Sequence, residues 1–216
     1  MPTDSPALLN LTPMQQLRAG RLSRRVTQLV LGLMVFGASI ALVLRSGLGM
    51  APWDVLHVGL AQHVPLTIGT VTILVGAVVL LLWIPLRQWP GLGTVLNIFL
   101  VGLALDLTLF LLPDSLGSLG WRILALLAGV VLNGIAGALY IGSQLGPGPR
   151  DGLMTSLSAL TGQRVGVIRT LIEVTVLVLG WFLGGPVGLG TVVYAVLVGP
   201  VVQVFLPRCT VRLQDS

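Results

Sequence analysis

The chain has 216 residues, of which 55% are hydrophobic and only 9% are charged, and its mean hydropathy is +0.99. Since a soluble domain carries roughly 25% charged residues, this composition excludes a fully water-exposed surface and predicts a protein whose main solvent is the lipid bilayer. The net charge is +5 and all twelve basic residues are Arg, but they are spread along the ends of apolar runs, which excludes a nucleic-acid-binding patch. The single Cys209 excludes an internal disulfide.

Residues 1–24 are polar and are predicted to form a cytoplasmic N-terminal tail. A basic cluster lies at the boundary between this segment and the first repeat: Arg18, Arg21, Arg24 and Arg25. The apolar run that follows reaches Leu44, which is spanning length and too long for the core of a signal peptide. Residues 26–44 are therefore predicted to form an uncleaved first span, with the N-terminus in the cytoplasm because basic residues stay on that side.

The first span is followed by a loop that no helix can continue through. Residues 46–53 contain Gly47, Gly49 and Pro52, which permit unusual backbone angles and remove a helical hydrogen bond. A short helical stretch over 54–63 comes next, and two full helices are predicted over 67–86 and 93–112. Together these elements form a first membrane repeat, residues 25–113.

A second membrane repeat, residues 122–207, follows a connecting loop over 114–121. Its predicted elements copy the first set: helices over 123–142, 165–183 and 190–206, a broken loop over 143–150 and a short stretch over 151–161. When the chain is shifted by 97 positions, 28 of the 85 pairs from Arg25 to Leu109 are identical. Residues 208–216 are predicted to form a cytoplasmic C-terminal tail.

The two short stretches decide the predicted topology. Ten helical residues rise about 15 Å, which is half of the hydrocarbon thickness, so each stretch either re-enters the membrane or lies at its interface. Three full spans then remain in each repeat, and an odd number inverts the second copy. The sequence therefore predicts an all-α membrane protein of about six transmembrane helices in two inverted-topology repeats.

Broken loops in matched positions point to a binding site, because irregular backbone at membrane depth survives only against protein or around a wet cavity. The breaking residues are Gly49, Pro52, Gly146 and Pro149. Each short helix then carries an acid, Asp54 in one copy and Asp151 in the other. Two interpretations stay open for these carboxylates. They act as helix N-caps, or they bind a cation or a proton.

The two loops differ at one position that affects the chemistry of the site. Trp53 in the first loop corresponds to Arg150 in the second. A site formed by both loops would be asymmetric and would suit a small organic anion or zwitterion. The alternative for Arg150 is a cytoplasmic residue that only orients the protein in the membrane.

Polar residues within the predicted spans are candidates for lining or gating a path, because ionisable groups are costly there. These are Asp106, Arg169, Glu173, Asn97 and Asn133. Arg169 and Glu173 are four residues apart, so they can instead form a self-neutralising pair. The chain contains no recognisable catalytic set, and His57 and His63 have no Cys or Glu partners. We therefore expect no enzyme activity, no cofactor and no metal.

The segment from Gly47 to Asp54, followed by Gly91-Leu92-Gly93-Thr94, resembles the YczE-like family of bacterial membrane proteins, relatives of the YitT type. The likeness covers nearly everything after residue 24, and the second loop departs from the first by carrying Arg150 in place of Trp. The resemblance implies a multi-pass protein of the bacterial cytoplasmic membrane and adds little on mechanism.

Two functions are compatible with these features. The first is a small secondary transporter or permease for a small solute or coupling ion, with its site at the paired loops. The alternative is a non-transporting membrane scaffold or assembly factor for a partner enzyme. Besides the lipid bilayer, a second copy of the chain is a candidate partner, because the predicted bundle is thin.

Overall fold

The computed structural model describes residues 8 and 11–213, and over these residues the protein is all-α. The described part contains nine helices: α1 (Pro13–Arg18), α2 (Leu22–Ser46), α3 (Pro52–Ala61), α4 (Ile68–Leu81), α5 (Leu92–Leu111), α6 (Leu119–Gly142), α7 (Pro149–Thr161), α8 (Val165–Phe182) and α9 (Leu189–Cys209). Helix α1 lies in the predicted polar tail, where Thr12 and Gln15 form a capping box. The rest of that tail before residue 11, apart from Leu8, lies outside the described residues.

Five helices of the described part are long and apolar enough to cross a membrane, and these are α2, α5, α6, α8 and α9. The prediction of an all-α membrane protein is therefore confirmed. The helix predicted over 67–86 is shorter than expected, because α4 has 14 residues. Beyond Leu81 the chain continues in tight turns, in which Trp83 and Ile84 donate to carbonyls three residues earlier. Pro85 explains this end, since it disfavours helix at the residue before it.

The centre of the bundle is an antiparallel pair formed by α2 and α6. Arg25, at the start of α2, donates to the carbonyls of Ser143 and Gln144 after the end of α6, at 2.8 and 2.6 Å. Arg122, at the start of α6, donates in the same way to Ser46 and Gly47 at the end of α2, at 2.7 and 3.0 Å. These bonds pair the last carbonyls of each helix, which have no partner within their own helix.

Each broken loop is bonded to the start of a helix from the other half of the chain. The N–H of Gly190, at the start of α9, donates to the carbonyl of Leu48 in the first loop at 2.7 Å. The N–H of Gly93, at the start of α5, donates to the carbonyl of Leu145 in the second loop at 2.7 Å. The two contacts lie 97 residues apart at both ends, so the same arrangement occurs twice.

The outer helices do not follow this correspondence. Helix α4 packs closely on α5, where the backbones of Gly69 and Gly102 meet. Helix α8 instead packs on α3 and α7, and within the described residues α8 and α9 form no comparable interface. Gly166 and Gly199 stand 97 residues after Gly69 and Gly102, and a Cβ added at either would have no neighbour within 4 Å.

Candidate functional site

A central cavity of about 130 Å³ lies where the two broken loops meet. Six pairs of its lining residues are separated by 97 positions: Ala51 and Gly148, Pro52 and Pro149, Trp53 and Arg150, Thr72 and Arg169, Gly76 and Glu173, and Asn97 and Tyr194. The first half of the chain supplies uncharged walls in these pairs, whereas the second half supplies two Arg, a Glu and a Tyr. The cavity is therefore chemically asymmetric although its backbone contributions are matched.

The loop geometry that forms this cavity depends on Gly and Pro. Gly49 and Gly146 have φ of +108° and +116°, in the region that favours glycine. Pro52 and Pro149 then occupy the first position of α3 and α7, where the missing N–H costs nothing. The predicted loop-breaking residues thus lie at equivalent places in the two loops.

Arg150 and Trp53 meet across the cavity. The guanidinium carbon of Arg150 lies 4.9 Å from the centroid of the Trp53 ring, which is a cation–π distance. A terminal nitrogen of Arg150 also lies 3.3 Å from Nε2 of His57, a fully buried residue of α3. The sequence pairing of Trp53 with Arg150 therefore corresponds to a direct contact in space.

The interpretation of the two Asp residues as N-caps is wrong. The caps of α3 and α7 are Ala51 and Gly148, neither forms a side-chain cap bond, and each Asp is the third residue of its helix. Asp151 lines the cavity and accepts a short hydrogen bond from the hydroxyl of Tyr140.

Asp54 lies outside the cavity lining and is buried next to His57. Its Oδ1 is 3.6 Å from Nδ1 of His57, which is longer than a hydrogen bond, and that oxygen has no hydrogen-bond partner within the described residues. Thr72 lies closer to the same ring nitrogen, at 3.1 Å. The two acids of the matched loops therefore have different surroundings.

Arg169 and Glu173 form the pair that their spacing predicts, with Nε of Arg169 2.8 Å from Oε1 of Glu173. Both line the cavity beside Asn97. The Arg169 side chain is 56% exposed and that of Glu173 is 29% exposed. This pair therefore lies at an exposed side of the cavity.

Asn133 forms part of a polar chain behind the cavity wall. Its amide donates to Ser39 at 2.8 Å, and its oxygen accepts from the hydroxyl of Tyr194 at 2.7 Å. Asn133 thereby orients Tyr194, which lines the cavity.

Asp106 has a different position from the other predicted path residues. It is not among the residues that line the central cavity. Its carboxylate accepts from the hydroxyl of Thr67 at 2.5 Å and from the N–H of Gly69 at 2.8 Å. Asp106 therefore binds the start of α4 and joins α4 to α5.

Sequence reasoning missed three aromatic residues of this region. Tyr140 binds Asp151, Tyr194 lines the cavity, and Trp83 donates from its indole nitrogen to the carbonyl of Pro149 at 3.0 Å. The 97-residue shift paired Tyr194 with Asn97 and so contained a signal for it. Nothing in the sequence distinguishes Trp83 or Tyr140 from aromatic residues at a membrane interface.

Within the described residues no group of three or more His, Cys, Asp or Glu side chains could hold a metal ion. The polar groups of the cavity are instead suited to hydrogen bonding and to the pairing of charges, since they combine guanidinium, carboxylate, amide and phenol groups.

Comparison with known proteins gives the family of this chain. Residues 23–207 match a family of unknown function (DUF6198). An uncharacterized protein of Haemophilus influenzae is 40% identical over 185 residues, which cover 85% of this chain and 84% of that protein. The uncharacterized membrane protein YczE of Bacillus subtilis is 36% identical over 179 residues, covering 82% of this chain and 83% of YczE.

The uncharacterized protein YyaS of Bacillus subtilis is 32% identical over 180 residues, covering 82% of this chain and 90% of YyaS. No solved structure matches the chain. The matches confirm the resemblance to the YczE-like proteins, and the apolar helices agree with the membrane location that the name of YczE carries. The chain is a multi-pass membrane protein and belongs to the DUF6198 family of YczE-like proteins.

Proposed function

We propose that this protein is a small secondary transporter or permease, and that the central cavity is its site for a small solute or ion. The observation that carries the proposal is the set of charged side chains, Arg150, Asp151, Arg169 and Glu173, around one cavity among apolar helices. Ionisable groups at membrane depth are costly and typically mark a path for solutes, ions or protons.

The proposal includes an inverted-topology repeat, with residues 25–113 and 122–207 as its two units. Its support is the antiparallel α2–α6 pair, the reciprocal bonds of Arg25 and Arg122, and the exchange of loop contacts between the halves. In transporters of this type the substrate site lies at the interface of the repeats, where helices are discontinuous.

A second part of the proposal is a movement of the outer helices. Helix α4 is closed onto α5 through Gly69 and Gly102, whereas the corresponding Gly166 and Gly199 of α8 and α9 face open space. If the two repeats exchange these arrangements, α8 closes on α9 while α4 leaves α5. The cavity is then exposed first at one flank and afterwards at the other, which is the requirement for alternating access.

In this proposal Arg150, Trp53 and Asp151 contact the solute, and Asp54 with His57 holds a coupling proton or cation next to them. The protein lies in the bacterial cytoplasmic membrane with its termini in the cytoplasm, as the distribution of Arg predicts. Catalysis is not part of the proposed role.

Labelling of single cysteines tests whether the cavity is a wet path. Ala51→Cys and Gly148→Cys, each in a Cys209→Ser background, place a thiol at matched points of the cavity wall. A membrane-impermeant thiol reagent is applied to right-side-out and to inverted vesicles. We expect each cysteine to react, with the rate depending on the side of addition. If neither reacts from either side, the loops are packed dry and transport through this cavity is excluded.

The scaffold function is favoured by one specific feature, the large apolar surface of α8 and α9. Four apolar side chains of these helices are each at least 42% exposed: Leu171, Val178, Val192 and Val196. A Cβ added at Gly166 or Gly199 would have no neighbour within 4 Å. A partner helix, from another protein or from a second copy of the chain, would fit against these small residues. This alternative predicts a partner that co-purifies and is lost in Gly166→Leu, while changes of Arg150 and Asp151 are tolerated.

A further inference from the structure

Arg150 is the cavity cation that lacks a carboxylate partner. The other cavity arginine, Arg169, is paired with Glu173 at 2.8 Å, and Asp151 accepts from Tyr140. Within the described residues Arg150 forms no ion pair, and its neighbours are the Trp53 ring and the imidazole of His57. A cation in the interior of a membrane protein is stabilised most by a carboxylate that contacts it directly, and neither Asp151 in the same wall nor Asp54 beyond the His57 ring lies within ion-pair distance of Arg150.

A second unpaired donor lies at the matched position of the other loop. The indole nitrogen of Trp53 is buried and has no hydrogen-bond partner within the described residues, and the whole residue is 7% exposed. A buried indole N–H normally finds an acceptor. Two donors, an indole N–H without an acceptor and a guanidinium without a carboxylate, therefore belong to residues that line the same cavity.

The size and charge of the cavity restrict what such an acceptor can be. About 130 Å³ is well below the roughly 300–1,000 Å³ of pockets for drug-sized ligands, so the cavity suits a small solute. The guanidinium fork matches carboxylates and phosphates. Asp151 and Glu173 share the wall, and their negative charges oppose a dianion such as phosphate while leaving a single carboxylate tolerable.

We infer that the cavity binds the carboxylate of a small solute, with the Arg150 guanidinium as its counterion and the Trp53 indole N–H as a second donor. This inference rests on the proposed function, since it names the substrate class of the same site. The carboxylate belongs to a monocarboxylate or to an amino acid, and in the second case the ammonium group meets Asp151 or Glu173.

Binding to the full-length protein in nanodiscs tests the inference without a transport assay. The probes are propionate, which has a carboxylate alone, and alanine, which adds an ammonium group. Propionamide and alaninamide are their matched controls without the carboxylate. Calorimetric titration and the shift in melting temperature are measured for each. We expect at least one carboxylate to bind and its amide to bind at least tenfold more weakly.

Variants connect binding to the named residues. Arg150→Gln is expected to weaken the binding of the carboxylate at least tenfold, and Trp53→Phe about threefold. Arg164→Gln is the matched control, because Arg164 is exposed, caps α8 and does not line the cavity. If Arg150→Gln fails to give a monodisperse protein, Arg150→Lys keeps the charge and loses the fork, and is expected to bind at an intermediate affinity.

Three results would overturn the inference: equal binding of a carboxylate and its amide, unchanged binding by Arg150→Gln or by Arg150→Lys, or no binding of either carboxylate. Flux of the probes into proteoliposomes separates this inference from the proposed function. Carboxylate binding without flux refutes transport and leaves the carboxylate site standing. Flux of a solute without a carboxylate, with no binding of propionate or alanine, refutes the site and leaves transport standing.

Discussion

The α4–α5 and α8–α9 pairs occupy corresponding places in the two halves of the chain, yet one pair is closed and the other is open. Gly69 and Gly102 bring α4 and α5 into backbone contact, and Asp106 ties them further through Thr67. A Cβ added at the corresponding Gly166 or Gly199 would have no neighbour within 4 Å. Both halves of the chain carry glycines at these positions, but only the pair in α4 and α5 forms a helix contact. This difference indicates that Gly166 and Gly199 serve another arrangement of the helices or the binding of a partner.

The difference has a local counterpart in one further pair of residues separated by 97 positions. Trp83, in the turns after α4, is 1% exposed, and its ring lies over Gly152 of α7 between the two helices. Gly180 of α8 stands in the place of Trp83 and lets α8 approach the backbone of α3 next to Leu56. The large ring thus accompanies the looser packing of α4 on α7, and the glycine accompanies the close packing of α8 on α3.

Removal of the Trp83 ring should have the largest effect. Trp83→Ala leaves a cavity between α4 and α7 and is expected to destabilise the protein by about 3–5 kcal/mol. Trp83→Phe, which keeps most of the ring volume and loses the bond to Pro149, should cost about 1 kcal/mol. Thermal unfolding in detergent measures both. A Trp83→Ala protein as stable as the parent would show that the ring does not pack between the two helices.

Arg25 and Arg122 give a second form of the comparison, because their hydrogen bonds match and their burial does not. Arg25 is fully buried, and it also donates to the carbonyl of Gln16. Arg25→Gln strands buried carbonyls and should cost about 2–3 kcal/mol. Arg122 is only partly buried, so water can replace its bonds and Arg122→Gln should cost under about 1 kcal/mol. Equal losses in the two unfolding curves would contradict the assigned difference in burial.

Gly69 and Gly166, which are 97 residues apart, provide the test with the smallest expected change in stability. A Cβ at Gly69 would lie 2.1 Å from the carbonyl oxygen of Gly102, whereas a Cβ at Gly166 meets nothing. Gly69→Ala should therefore destabilise the protein by about 1–3 kcal/mol, and Gly166→Ala should leave the melting temperature unchanged. A comparable loss in both variants would mean that α8 is packed against a neighbour in the membrane.

Much of the fold could be predicted from the sequence, because apolar length and the 97-residue repeat are properties of the chain itself. The broken loops and the short helices follow from matched Gly and Pro, and the divergence of Trp53 and Arg150 predicted a chemically asymmetric site, although not their direct contact. The asymmetry of the outer helices could not be predicted, since it depends on how Trp83 and Gly180 pack against elements of the other half. The partners of Asp106 could not be predicted for a related reason: Gly69 belongs to a different helix, and Thr67 caps that helix.

Disulfide trapping tests most directly the claim that the two halves exchange their arrangements. In a Cys209→Ser background, Gly76→Cys with Ile98→Cys probes the closed side, where a Cβ at Gly76 lies 3.8 Å from that of Ile98, a distance suited to a disulfide. Thr170→Cys with Gly199→Cys probes the open side, at the positions corresponding to Ile73 and Gly102.

Oxidation is followed in native membranes, and the mobility of the monomer on a denaturing gel separates cross-links within one chain from those between chains. We predict rapid trapping of the first pair and slower but complete trapping of the second within one chain. Complete trapping of the first pair with none of the second would contradict the account, because the open side would then be fixed.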